Sequence, residues 1–421
     1  MRKSPKISQG LDYYKVTMGM NEFLKHPEAE VTFTLKNRSP NLLSEFVTPE
    51  ELQNNLNNLA EGWQPSEIAY LAGLQNQDGK ETFSQEYLDF LISNPLPPVK
   101  IGYDKRGDLA VEATGKWPLV TFWETVIMSE INEIYFRNKL AREGYSLEEV
   151  YAEGDRRLDE KIKLLKSRPD IKFSDFGTRR RFSFNWHRHV IERVANELPD
   201  NFVGTSNIYL AHKLGLKPIG TFAHEMPMVY AALADKAGNN PLNGHNQALR
   251  DWQDTYGDEL SIALTDTFTT DFFFADFTPE QMTSWKGLRH DSGDPIEFGN
   301  KAIEIYKKNG IDPLEKTIVF SDGLDVDEII RIADYFKDKI NVTFGWGTTL
   351  TNDLGITPNN FVMKATEVDG VSTVKLSDTP GKHTGSGDKI RKYREHVKAA
   401  LAENALNNNS SCCMKKQCQY L

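Results

Sequence analysis

Three polar segments in the last third of the chain recur at the spacing of one strand plus one helix. They are Leu288–Pro295, Phe320–Asp325 and Phe344–Asp353, and each follows a short apolar run. Asp291 and Asp322 are 31 positions apart, which fits consecutive βα units. Because the loops after parallel strands share one face, we predict a parallel sheet or barrel with a face rich in Gly, Asp, Ser and Thr. Such a face suits a phosphorylated sugar bound with a metal ion.

The same rhythm extends upstream to about residue 172. Apolar runs predict strands that end near Phe173, Val203, Phe222, Leu264, Leu288, Phe320 and Phe344, with Phe361–Lys364 a possible eighth. Seven or eight βα repeats indicate an α/β fold, an irregular (β/α) barrel whose active site lies at the carboxyl ends of the strands. The first 130 residues lack this rhythm and mix strands with helices.

The 421 residues exceed one ordinary core, so two domains are expected. We predict an N-terminal α+β domain at 1–130 and an α/β barrel domain at 131–365. Residues 366–405 are expected to return to the first domain, and 406–421 to form a flexible tail. All three cysteines lie in that tail, so the body has no disulfide, thiol nucleophile or thiolate metal site.

Charge and hydropathy exclude two classes of partner. The formal net charge of −10 argues against a nucleic-acid coat, which would need a basic surface. The chain has no run of about 18 apolar residues and no signal-peptide core at its start. We therefore predict a soluble, cytoplasmic protein that binds neither nucleic acid nor membrane. It has no G-x-x-x-x-G-K-[ST] motif, so a nucleoside triphosphate would bind without a P-loop.

The acids of the first two polar segments divide into structural and functional groups. Asp294 precedes a proline and Asp325 precedes Glu328 by three positions, so both match helix N-caps. Asp291 and Asp322 stand closer to the predicted strand ends and are left for function. Carboxylates at that edge are suited to Mg²⁺.

Two further segments indicate bound anions. Gly347 and Thr348 lie in a Gly-x-Gly-Thr-Thr turn that offers backbone N–H groups and hydroxyls, as anion-binding loops do. The segment Ser174–Arg181 places three arginines before a predicted helix, where their charge opposes the helix dipole. That cost is offset if an anion binds there.

His224 is the candidate base or covalent acceptor, because it follows a predicted strand and precedes Glu225, an acid that can orient the imidazole. Asp266 follows another predicted strand and is expected to face the same way as Asp291. From the residues alone, this pattern reaches a barrel enzyme with arginines, acids for Mg²⁺ and phosphate loops, without naming the reaction.

These segments resemble the motifs of the nicotinate phosphoribosyltransferase family. The matching motifs are Leu11–Thr17, Phe176–Arg181, Gly204–Asn207, Gly220–Glu225, Leu264–Thr267, Arg289–Pro295 and Phe344–Thr348. The resemblance implies the type II phosphoribosyltransferase fold and an enzyme of NAD salvage. That enzyme joins nicotinate to phosphoribosyl pyrophosphate with Mg²⁺, giving nicotinate mononucleotide and pyrophosphate. It also implies that ATP assists through a transient phosphohistidine, at the position matched by His224.

The resemblance assigns residues to the two halves of the site. Asp291 and Arg289 would lie near the ribose and pyrophosphate, with Asp266 a weaker member. The residues placed near the 5′-phosphate are Ser321, Gly323, Gly347 and Thr348.

For the base, the resemblance implies an aromatic sandwich, with Phe176 on one face and Tyr14 of a neighbouring subunit on the other. A homodimer with shared active sites is therefore expected. Arg179 would sit near the ring carboxylate. Ser206 stands where nicotinamide phosphoribosyltransferases carry an aspartate, and a hydroxyl can donate to a carboxylate that an aspartate would repel.

Three alternatives stay open. A nicotinamide-type enzyme is expected to carry an aspartate at position 206. A quinolinate-type enzyme is expected to have more cationic side chains around the pyridine ring and no phosphohistidine. A non-catalytic sensor of phosphoribosyl ligands is the alternative of another class. The presence of Asp291, His224 and Arg179 disfavours the sensor.

Overall fold

The computed structural model describes residues 6–379 and 381–417, which form two β-sheets surrounded by helices. The strands are β1 (Glu30–Asn37), β2 (Val99–Tyr103), β3 (Leu109–Lys116), β4 (Phe173–Asp175), β5 (Phe202–Thr205), β6 (Ile262–Leu264), β7 (Gly287–His290), β8 (Thr317–Phe320), β9 (Asn341–Trp346), β10 (Phe361–Val368) and β11 (Val371–Ser372). The first helices are α1 (Tyr13–Lys25), α2 (Pro49–Asn57), α3 (Pro65–Ala72), α4 (Gln85–Ser93), α5 (Trp117–Val120), α6 (Trp123–Glu143), α7 (Leu147–Lys166) and α8 (Phe184–Glu197). They are followed by α9 (Ile208–Leu214), α10 (Glu225–Lys236), α11 (Asn243–Tyr256), α12 (Thr270–Asp276), α13 (Pro279–Ser284), α14 (Pro295–Lys308), α15 (Val326–Phe336), α16 (Thr348–Thr351) and α17 (Gly387–Gln417).

The second sheet confirms the predicted βα rhythm. Its strands run in the order β5-β4-β9-β8-β7-β6, and every pairing is parallel. Asp294 and Asp325 cap α14 and α15, as predicted, by accepting hydrogen bonds from backbone N–H groups of the first turn at 2.8 Å. The caps start each helix just beyond its strand, so the intervening polar loops gather at the carboxyl edge of the sheet.

Two predicted barrel strands are wrong. Near Phe222 the chain forms no strand, and Pro218 makes only an isolated bridge with Thr205. Gly220 instead lies against Tyr14, where an added Cβ would be 2.9 Å from the Tyr14 backbone nitrogen. The predicted eighth strand belongs to the other sheet, since β10 pairs antiparallel with β1. Its alternating burial is typical of a strand with one buried face, whereas parallel strands are buried on both.

The first sheet is antiparallel and has the order β11-β10-β1-β3-β2. It takes in β10 and β11 from the end of the chain, but α17 does not join it as expected. Tyr393 of α17 instead packs with Phe268, with ring centroids 5.7 Å apart, in an apolar cluster that includes Phe272 of α12. The exact domain boundaries stay a prediction.

The predicted flexible tail at 406–421 is helical as far as Gln417, the end of α17, and residues 418–421 lie outside the described residues. Within the described part of the chain, no helix combines the length and apolar composition needed to cross a membrane.

Candidate active site

A cavity of about 550 Å³ lies between the carboxyl edge of the parallel sheet and β10 of the antiparallel sheet. Eleven of the twelve predicted site residues line it, namely Tyr14, Phe176, Arg179, Ser206, His224, Arg289, Asp291, Ser321, Gly323, Gly347 and Thr348. The twelfth, Asp266, does not line the cavity and is buried behind His224. The segments that sequence spacing grouped on one face therefore meet in space.

His224 lies immediately before α10 and is held at both ring nitrogens. Nδ1 is 3.0 Å from the hydroxyl of Thr267, and Nε2 is 2.9 Å from Oδ2 of Asp291. Nζ of Lys375 also lies 2.8 Å from Nε2. Burial lowers the pKa of His224, and the charge of Lys375 lowers it further. The imidazole is therefore neutral at pH 7 and keeps a lone pair.

Asp291 is the ionised acid of the site. Burial acts to raise its pKa, but the hydrogen bond with His224 and the positive charges of Arg289 and Lys375 hold that pKa well below its usual range. Its second oxygen accepts from the Ser321 hydroxyl at 3.1 Å. The carboxylate thus stays negative where it faces the cavity.

His224, Asp266 and Asp291 each bring one possible metal-ligating atom within 4.8 Å of the others. Lys375 occupies this cluster, because its Nζ is 2.8 Å from His224 and 3.0 Å from Oδ2 of Asp266. An ammonium group therefore supplies the positive charge that a protein-bound cation would bring, and we assign no metal to the cluster.

Phe176 and Tyr14 both line the cavity. The Phe176 ring lies directly over Gly345, where an added Cβ would be 2.3 Å from two ring carbons. Nη1 of Arg179 donates to the Tyr14 hydroxyl at 3.2 Å and to Glu124 Oε1 at 2.7 Å. Tyr14 lines the cavity of its own chain, and a second aromatic face supplied by a neighbouring subunit stays a prediction. The homodimer itself stays a prediction.

Ser206 lines the cavity beside an acid that the sequence reasoning missed. Its hydroxyl donates to Oδ1 of Asp12 at 2.6 Å, and Asp12 also lines the cavity. Burial raises the pKa of Asp12, opposed by hydrogen bonds from Ser206 and Thr178. The Ser206 proton is committed to Asp12 while that carboxylate is ionised, and a protonated Asp12 would leave it free.

A basic wall was also missed, which consists of Arg38, Arg180, Lys364, Lys375 and Lys382. Lys364 lies on β10, and Arg38 directly follows β1. Burial and the charges of Lys375 and Arg38 lower the pKa of Lys364 to about 7. Lys382 pairs with Asp322 of the opposite loop at 3.0 Å. These crowded cations repel one another, and a bound polyanion would relieve the repulsion.

The cavity lies where α/β enzymes hold their substrates, beyond the carboxyl ends of parallel strands. Its basic wall and its ionised acid define an enzyme for anionic substrates. A sequence profile of the nicotinate phosphoribosyltransferase family matches residues 171–408, and the profile of that family's N-terminal domain matches residues 11–132. The chain belongs to the nicotinate phosphoribosyltransferase family.

Solved structures agree with this assignment. A nicotinate phosphoribosyltransferase from Porphyromonas gingivalis is 33% identical, with a TM-score of 0.78, and the alignment covers 93% of this chain and 98% of that one. A nicotinate phosphoribosyltransferase from Vibrio cholerae is 30% identical, with a TM-score of 0.83 and coverage of 96% and 98%. The similarity therefore extends over both sheets.

Proposed function

We propose that the chain transfers the phosphoribosyl group of phosphoribosyl pyrophosphate to nicotinate. The pyridine nitrogen forms a bond to the ribose anomeric carbon, while the bond from that carbon to pyrophosphate breaks and pyrophosphate leaves with the electron pair. The observation that carries the proposal is one cavity that joins Phe176, Tyr14 and Arg179 to the loops after the parallel strands. This arrangement can hold a planar anionic base beside a sugar phosphate.

The base would lie between Phe176 and Tyr14, where aromatic stacking is favourable. Both observed contacts of Arg179 use Nη1, so Nη2 can donate to the ring carboxylate. A guanidinium binds a carboxylate more specifically than a point charge does. The charged base is thereby favoured over its neutral amide.

The phosphoribosyl group would take the other half of the cavity. Gly323 lies in the loop after β8 with a φ of +64°, a conformation that favours glycine, and its missing side chain leaves room for a phosphate. Gly347 and Thr348 lie in the loop after β9. The transition state has oxocarbenium character, so the ionised Asp291 would stabilise positive charge on the ribose.

Pyrophosphate would leave towards the basic wall. Lys364 and Lys375 offer ammonium groups to its oxygens, and Arg38 offers a guanidinium. The oxygen donors at the site fit Mg²⁺, since Asp291 is ionised and Ser321 places a hydroxyl beside it. Asp291 would hold the ion together with phosphate oxygens, and the ion would neutralise charge on the leaving group.

ATP would act through His224. In the neutral imidazole, Nε2–H donates to the ionised Asp291 and Nδ1 accepts from Thr267, so Nε2 would pass its proton to Asp291 to expose a lone pair to the cavity. Nε2 would form a bond to the γ-phosphorus as the bond to the β–γ bridging oxygen breaks and ADP leaves. Water would later cleave the phosphorus–nitrogen bond. Asp291 links the two events, because it contacts Nε2 and also faces the ribose subsite.

The test is product formation from nicotinate, phosphoribosyl pyrophosphate and Mg²⁺, with and without ATP. We expect nicotinate mononucleotide to form both with and without ATP, and to form faster when ATP is present. The protein should gain one acid-labile phosphate, which His224→Ala abolishes. His189→Ala is the matched control, because His189 pairs with Asp155 outside the cavity. A phosphate gain that persists in His224→Ala would contradict the phosphohistidine, and no product from nicotinate would contradict the transferase.

The homodimer implied by the family resemblance is also retained as a proposal. The molecular mass of the purified protein in solution tests it, since a monomeric mass at assay concentration would refute it.

A further inference from the structure

A chain of charged groups, buried except for the partly exposed Arg179, runs beneath the cavity and joins its two halves. Arg179 donates to Oε1 of Glu124 at 2.7 Å, and Oε2 of Glu124 is 2.6 Å from Nζ of Lys15. Lys15 also pairs with Oε2 of Glu225, the residue that follows His224. Lys15 is 0% exposed and does not line the cavity, whereas both glutamates do.

Each glutamate also has a partner other than Lys15, which for Glu124 is Arg179. Oε1 of Glu225 accepts from the Trp117 indole at 2.7 Å and from the Thr121 hydroxyl at 2.8 Å. Nζ of Lys15 also lies over the rings of Tyr14 and Phe33, 5.6 and 5.2 Å from their centroids. The two carboxylates are thus held close to the cavity whether or not a ligand is present.

The charge count has a consequence for an anionic ligand. Two glutamates and Arg179 alone would carry one net negative charge beside the proposed base subsite. Lys15 brings this sum to zero. In a buried setting charges are poorly screened, so the difference would be felt by a ligand carboxylate.

We infer that Lys15 is a positioning residue for the anionic base: it neutralises Glu124 and Glu225, so that the Arg179 guanidinium remains able to bind a ring carboxylate. Lys15 does not touch the base and acts through the two acids. The inference rests on the proposed nicotinate subsite at Arg179. Without Lys15, the ion pair with Glu124 would compete with the ligand for Arg179, and Glu225 would add repulsion.

The test compares nicotinate with nicotinamide, which has a similar shape and no charge. Lys15→Met keeps the length of the side chain and removes its charge. We expect the ratio of Kd for nicotinate to Kd for nicotinamide to rise on the order of tenfold in this variant. Calorimetric titration gives both constants. It is made at alkaline pH, because burial raises the pKa of Glu225 and proton uptake at low pH would mask the change.

Glu225→Gln provides a second variant with the opposite expected sign. It removes a negative charge from the same network, so the ratio should fall below that of the wild type. The double variant Lys15→Met/Glu225→Gln restores the charge sum and should return the ratio to within about threefold of the wild type. Thermal unfolding checks that each variant is folded, and Glu225→Gln tests the inference alone if Lys15→Met is not.

A purely structural network would weaken both ligands equally in each variant. An unchanged ratio in Lys15→Met and Glu225→Gln, with nicotinate still bound by the wild type, would overturn the inference and leave the proposed function standing. Failure of the wild-type protein to bind nicotinate would overturn both.

Discussion

Gly345→Ala should displace the Phe176 ring from its position in the cavity without changing any polar group. The added Cβ would lie 2.3 Å from Cδ2 and Cε2 of Phe176, whereas carbon atoms in contact are about 3.5–4.0 Å apart. The ring must therefore move by roughly 1.2–1.7 Å. Gly345 is not among the glycines with positive φ, so alanine adds no backbone strain. The clash with the ring is the whole perturbation.

Two effects follow from that displacement. Forcing a methyl group into a packed site destabilises the fold by about 1–3 kcal/mol. Loss of one stacking face against nicotinate costs about 0.5–1.5 kcal/mol, which raises Kd about 2- to 12-fold. Calorimetric titration with nicotinate measures the second effect, and thermal or denaturant unfolding measures the first.

Gly299→Ala is the matched control. Its Cβ would lie 2.1 Å from Cζ of Phe336, so it also drives a methyl group into a phenylalanine ring, but neither residue lines the cavity. We expect a loss of stability with unchanged nicotinate affinity. If Gly345→Ala lost stability as expected and yet bound nicotinate as the wild type does, Phe176 would not contact the base.

Four other substitutions or titrations probe the site. Ser206→Asp should shift the preference towards nicotinamide, and because Asp12 lies 2.6 Å from the Ser206 hydroxyl, one of the two acids must stay protonated. A ratio of kcat/KM for the two bases that is unchanged from the wild type would refute this. Pyrophosphate affinity should be greatest below pH 7 and weaken above it, because Lys364, with a pKa of about 7, loses its charge. In Lys364→Arg the side chain stays charged, so the pyrophosphate affinity should depend less on pH. Formation of phosphohistidine at His224 should be constant near neutral pH and fall as pH drops through its lowered pKa, since the protonated ring has no free lone pair; rapid alkaline quench measures it. Asp291→Asn should reduce kcat about 10²- to 10³-fold and change the nicotinate Kd much less. If the nicotinate Kd rose by as large a factor as kcat fell, Asp291 would act in binding and not in stabilising the transition state.

Local signals were enough to predict much of the parallel sheet and the groups at its edge. Asp294 and Asp325 were recognisable as caps because a capping side chain bonds to backbone only two or three residues away. The acids left over, Asp291 and Asp322, then fell at strand ends and do line the cavity. The predicted strand near Phe222 failed because its short apolar run is matched equally well by a loop that packs on α1.

By itself, the sequence determined the order of βα units and the loops that gather at one edge, since both depend on contacts between near neighbours. Only the tertiary structure decided what faces that edge. Antiparallel pairing of β10 with β1 brings Lys364 and Arg38 to the cavity, and the ring of Phe176 explains the glycine at position 345. Lys15 meets Glu225 across 210 positions. Contacts so distant in sequence leave no periodic pattern, because they are set by how the two sheets pack.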